Sequence, residues 1–183
     1  MNHPALGILE FNSIAQGMKA ADEALKEAKV DVIVARTICP GKYILIINGD
    51  VDEVKSSVRK SSEAGEYHNV DSFVIPNLHP QVPAAFGATG EIKKPGALGI
   101  VETFSAPSAI FSADAAVKAA DVQLVEIRVA NGIGGKSFYS LTGEERDVRA
   151  AVNAGVEAVK ETGLVMNYII IPSPHSDLYR HIL

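Results

Sequence analysis

The sequence predicts an α+β protein made of two tandem copies of one unit, each a mainly antiparallel four-stranded sheet with helices. Three observations carry this. Ala5-Leu-Gly-Ile-Leu-Glu10 returns 92 residues later as Ala97-Leu-Gly-Ile-Val-Glu102. Within each copy, short β-branched runs alternate with stretches of helical periodicity. Hydrophobic residues make up 47% of the 183 residues and charged residues 21%, the balance of a globular chain.

The elements follow in order. Ala5 to Phe11 reads as a strand. Ser13 offers a helix N-cap with Gln16 three residues on, a capping box. Ile14, Met18, Ala21, Leu25 and Ala28 then fall on one helical face. Val30 to Arg36 is β-branched and reads as a strand. Cys39-Pro-Gly41 breaks it, and Pro40, lacking an amide donor, places the break at a loop or sheet edge. Tyr43 to Ile47 is the next strand. Asp50 and Glu53 open a second helix with Val51, Val54 and Val58 on one face, and Phe73 to Ile75 closes the copy as a strand ended by Pro76.

The second copy repeats this order. The same offset pairs Ser13 with Ser105, Asp22 with Asp114, Lys26 with Lys118 and Arg36 with Arg128. Two residues then enter the second copy, so that Lys42 pairs with Lys136 and Gly49 with Gly143. Two more precede Ile170-Ile-Pro-Ser-Pro-His175, the match to Val74-Ile-Pro-Asn-Leu-His79. This period exceeds the roughly 20–50 residues of a solenoid unit. Each copy is therefore read as a small domain, 1–90 and 91–183, joined by a linker from Gly87 to Gly90 through Pro95-Gly96. Domains of this size are marginal alone, so packing against neighbours is expected to matter.

Composition excludes several functions. A net charge of −5 without a basic cluster argues against nucleic acid and anionic membranes as partners. Trp is absent and aromatics are 6%, which leaves little for base stacking. The one cysteine rules out an intrachain disulfide and a multi-thiolate site within one chain. The start of the chain carries no basic stretch followed by an apolar run. Tyr43 to Ile47 is far short of the roughly 20 residues that span a bilayer. A cytosolic protein is expected.

Ala130-Asn-Gly-Ile-Gly-Gly-Lys-Ser137 nearly reproduces a phosphate-binding loop, but such a loop must open a helix. Ser137-Phe-Tyr-Ser-Leu141 reads as strand, so a glycine-rich hairpin loop is the expectation. His79 and His175 recur after Ile-Pro without triad partners and are expected to bond backbone. Glu10 and Glu102 end equivalent strands, which points to a repeated structural role rather than acid–base catalysis. No catalytic residue is expected. Cys39 breaks the repeat, since its counterpart is Asn131. A lone cysteine is usually a buried small hydrophobe, whereas a turn is usually exposed, and the sequence leaves both open.

Ala97-Leu-Gly-Ile-Val-Glu-Thr103, Ala113-Asp-Ala-Ala-Val-Lys118 and Ile170-Ile-Pro-Ser-Pro-His175 resemble the BMC domain of bacterial-microcompartment shell proteins. The resemblance covers the chain twice, in unpermuted order. Thr37-Ile-Cys-Pro-Gly-Lys42 and Pro76-Asn-Leu-His-Pro80 resemble the tandem-domain shell proteins of propanediol-utilisation compartments. The resemblance implies a homotrimer with a hexagonal outline that tiles with other BMC shell proteins. It implies a pore lined by Ile38, Cys39, Pro40 and Gly41 from one copy and Asn131, Gly132, Ile133, Gly134 and Gly135 from the other. It further implies one [4Fe–4S] cluster per trimer at the threefold axis, with Cys39 as ligand, for electron transfer or cluster delivery to lumenal redox enzymes. A metabolite pore without a cluster is the alternative. Lys26 and Lys118 match the lysine found at tile edges. Asn77 and Ser173 stand where hexameric relatives often carry Arg, so edge contacts are expected to differ.

Overall fold

The computed structural model describes residues 5–86, 92 and 95–182. The expected boundary between 90 and 91, with the adjoining linker residues 87–90, lies outside them. The chain divides into two compact units. One comprises Met1–Leu78 with Ser105–Pro107 and Ala130–Gly135; the other comprises His79–Phe104, Ser108–Val129 and Lys136–Leu183.

The first unit holds β1 (Ala5–Phe11), α1 (Ile14–Glu27), β2 (Asp31–Ile38), β3 (Lys42–Gly49), α2 (Val51–Gly65) and β4 (Asn69–Ile75). Its sheet runs β2-β3-β1-β4, with each neighbour antiparallel. β1 pairs with β3 from Ala5 opposite Gly49 to Phe11 opposite Tyr43. Leu9, Phe11, Tyr43, Leu45 and Ile47 meet Ala20, Ala21 and Ala24 of α1 and Val54 and Val58 of α2. Each large side chain fully buried there contributes about 1.5–3 kcal/mol. The small alanine face lets α1 approach, and Ser57 ties α2 to α1 by donating to the Ala24 carbonyl at 2.9 Å.

Two local expectations change in detail. Ser13 caps α1 by accepting from the Gln16 amide at 3.3 Å. The Gln16 side chain, however, donates to the Ala64 carbonyl at 2.6 Å instead of returning to the cap. Asp50 occupies the N-cap of α2 without a side-chain capping bond. The face of α1 is a larger correction. Gly17, Ala20, Ala21 and Ala24 are buried, whereas Ile14, Met18 and Leu25 of the apolar stripe are 36%, 53% and 44% exposed. The sequence period marks an apolar face that this chain by itself leaves uncovered.

The second unit holds α3 (Gln81–Phe86), β5 (Ala97–Thr103), β6 (Val122–Val129), β7 (Ser137–Gly143), α5 (Glu145–Val159), β8 (Val165–Ile171) and α6 (Ser176–Ile182). It also holds most of α4 (Ala106–Ala119), whose first two residues group with the first unit. The sheet order is β6-β7-β5-β8, again antiparallel. Tyr139 is fully buried, its hydroxyl 2.9 Å from that of Ser112. Gln81 lies along β6 like a rung of the ladder. Its amide nitrogen donates to the Val122 carbonyl at 3.1 Å and its oxygen accepts from the Leu124 amide at 2.8 Å. The short helices α3 and α6 carry too little periodicity to be foreseen.

Candidate functional site

The turn after β2 and the loop after β6 come together inside the first unit. Ile38 is buried and anchors the turn, while Cys39 at its tip is exposed and carries a free thiol. The Cys39 amide donates to the Ala130 carbonyl at 2.9 Å. A Cβ at Gly135 would stand 2.4 Å from Pro40 Cδ and 3.0 Å from the Cys39 carbonyl oxygen. Gly135 has φ 79°, and Ala130 opens the loop at φ 45°. Side chains resist such backbone, so a glycine belongs where the two loops touch.

Gly132 and Gly134 also take positive φ, and a Cβ at either would meet open space. Asn131 is exposed and Ile133 is half-buried. This second loop therefore offers backbone amides and carbonyls more than side chains. Lys136-Ser137 leads into β7 and not into a helix, so the string lacks the helix N-terminus that phosphate binding needs.

Next to the loops, Glu10 ends β1 fully buried. Its carboxylate accepts from Lys42 Nζ at 2.5 Å and from the Ala106 amide at 2.6 Å, the first amide of α4. Ser105 donates to Asp71 beside it. Burial pushes the Glu10 carboxyl above its usual range, opposed by the Lys42 and Ala106 hydrogen bonds. The repeated strand-end glutamate thus has a structural task in the first copy. The part of Lys42 was not foreseen, although Lys136 repeats it.

His79 Nδ1 accepts from the Gln81 amide at 3.3 Å and His175 Nδ1 from the Asp177 amide at 3.2 Å. Both rings open short helices, the backbone-bonding role expected. Lys26 pairs with Asp22, and Lys118 with Asp114 at 2.5 Å, each in the last turn of its helix. Asp22 raises the Lys26 pKa through that bond. Among the described residues, no group of three or more His, Cys, Asp and Glu is placed to hold a metal ion.

The BMC-domain model matches residues 5–78 and again 97–174. The chain belongs to the BMC-domain family. It is 42% identical to the bacterial microcompartment shell protein PduT of Citrobacter freundii, over 98% of this chain and 97% of that one. The shell protein EutM of Escherichia coli is 37% identical over 45% of this chain, the extent of one BMC domain. Among solved structures, a microcompartment protein from Desulfitobacterium hafniense superposes with a TM-score of 0.80 at 47% identity, covering 97% of this chain and 98% of that one. The fused permuted hexameric shell protein MSM0275 gives 0.66 at 26% identity, covering 87% and 85%. The fold is two tandem BMC domains, and the chain is a structural shell protein of a bacterial microcompartment.

Proposed function

We propose that three chains close into a pseudohexameric ring and that three Cys39 thiolates at its threefold axis hold one [4Fe–4S] cluster. The exposed thiol of Cys39, at the tip of a turn braced by its neighbouring loop, carries the reading. One cysteine per chain becomes three under threefold symmetry. Soft thiolates favour iron–sulfur centres, and a cubane usually takes four such ligands, so a fourth donor completes the set. Bound there, the cluster would carry electrons across the shell or pass to lumenal redox enzymes. Lys26 and Lys118, exposed near helix ends, would meet neighbouring shell tiles.

Protein reconstituted anaerobically with iron and sulfide is expected to be brown, with about four irons per trimer for a cubane. Cys39→Ser should be colourless and still trimeric by light scattering. Colourless wild-type protein after reconstitution overturns the cluster. The side-chain-poor second loop supports the other reading, a metabolite pore, in which backbone groups at Gly132 and Gly134 meet a passing polar solute. An open axial channel without iron would favour it.

A further inference from the structure

The turn that carries Cys39 and the loop beside it are equivalents under the repeat, yet their glycines meet different surroundings. Lys42 pairs with Lys136, so Gly41 pairs with Gly135. The two backbones agree, with φ 80° and 79°. Within the chain a Cβ at Gly41 would meet open space. At Gly135 it would meet Pro40 Cδ at 2.4 Å, the Cys39 carbonyl oxygen at 3.0 Å and Pro40 N at 3.3 Å. Gly41 answers to its backbone alone, whereas Gly135 also leaves room for Cys39-Pro40.

Ala130 stands at the other end of the same loop. It is fully buried at φ 45°, and its carbonyl accepts from the Cys39 amide at 2.9 Å. Cys39 is thus held at its amide by one end of the loop and at its carbonyl by the other, while its thiol stays exposed. Ordinary contact begins at 3.4 Å. An alanine side chain at position 135 would therefore drive the Cys39-Pro40 turn outward by more than the roughly 0.2 Å that metal–ligand distances tolerate.

Resting on the cluster reading above, we infer that Gly135 and Ala130 are positioning residues for the Cys39 ligand. The first repeat supplies the thiol, and the second, which has none, fixes where it stands. Residues that orient a ligand without touching the metal change metal affinity about 10–100-fold when replaced.

The test takes the anaerobically reconstituted trimer, follows iron release to a ferrous chelator, and records the EPR spectrum of the reduced protein. Gly135→Ala should keep the trimeric mass, release iron about tenfold faster than wild type and shift the g values. Gly163→Ala is the control, since it puts a side chain on a similar backbone, φ 67°, with nothing within 4 Å of its Cβ. It should lower the unfolding midpoint and release iron at the wild-type rate. Equally fast release from Gly163→Ala would reduce the effect to lost stability and overturn the positioning role. Should Gly135→Ala fail to assemble, Ala130→Gly, which the left-handed backbone favours, carries the same expectation. Wild-type release and spectrum in both loop variants overturn the positioning role and leave the cluster standing. Colourless wild-type protein overturns both.

Discussion

At Glu10 a carboxylate sits out of water between Lys42 and the Ala106 amide. Its raised pKa means the folded protein binds this proton more tightly than the unfolded chain does. The stability it contributes is therefore fully present below the ordinary value of 4.5 and is lost as pH rises through the folded value. Urea titrations of wild type and Glu10→Gln should show wild type gaining on the variant as pH falls across that window. The opposite trend would mean that Lys42 outweighs burial. Gly135 makes a second test. An alanine there meets Pro40 and a left-handed backbone together, so Gly135→Ala should cost about 1–3 kcal/mol and loosen the support of Cys39. Equal stability of the variant would show that the two loops do not brace each other. At this scale the sequence singled out Cys39 and Glu10 because the repeat breaks at one and holds at the other. It left the exposure of Cys39 open, since that depends on where a turn ends up and not on its composition.

Among the elements, β1 and β5 each carry a glycine under a helix. A Cβ at Gly7 would come within 2.7 Å of Val58 and 2.9 Å of Val54 on α2. At Gly99 it would come within 2.7 Å of Val152 and 3.0 Å of Val148 on α5. Gly7→Ala and Gly99→Ala should each destabilise by about 1–3 kcal/mol through overpacking. Lying in separate sheets with no shared partner, their effects should add within about 0.5 kcal/mol in denaturant titrations. Strong non-additivity would show the two sheets coupled. The strands were legible from β-branched runs, and α2 from Val51, Val54 and Val58. α1 shows where periodicity misleads. Ile14, Met18 and Leu25 trace a clean stripe, yet the helix packs through Ala20, Ala21 and Ala24. A hydrophobic period reports that a face will be covered, without saying whether the cover is the same chain or another. α3 and α6, at six and seven residues, are held by Gln81 and Tyr179 contacts that no local pattern encodes.

Across the whole chain, duplication was the most legible feature, and it carried the fold class with it. The contact between the Cys39 turn and Gly135 was not legible, because it joins residues nearly a hundred positions apart. The same holds for the division of α4. Its first residues group with one compact unit and the remainder with the other. Within the first unit Glu10 caps the first turn of α4 through the Ala106 amide, and a helix propagates order cooperatively along its axis. Glu10→Ala should therefore lower the midpoint of thermal unfolding measured by calorimetry. An unchanged midpoint would show that this cap carries no stability. With the midpoint lowered, a helix written by the second repeat owes its first turn to a carboxylate written by the first, so that neither repeat can change at this point without the other.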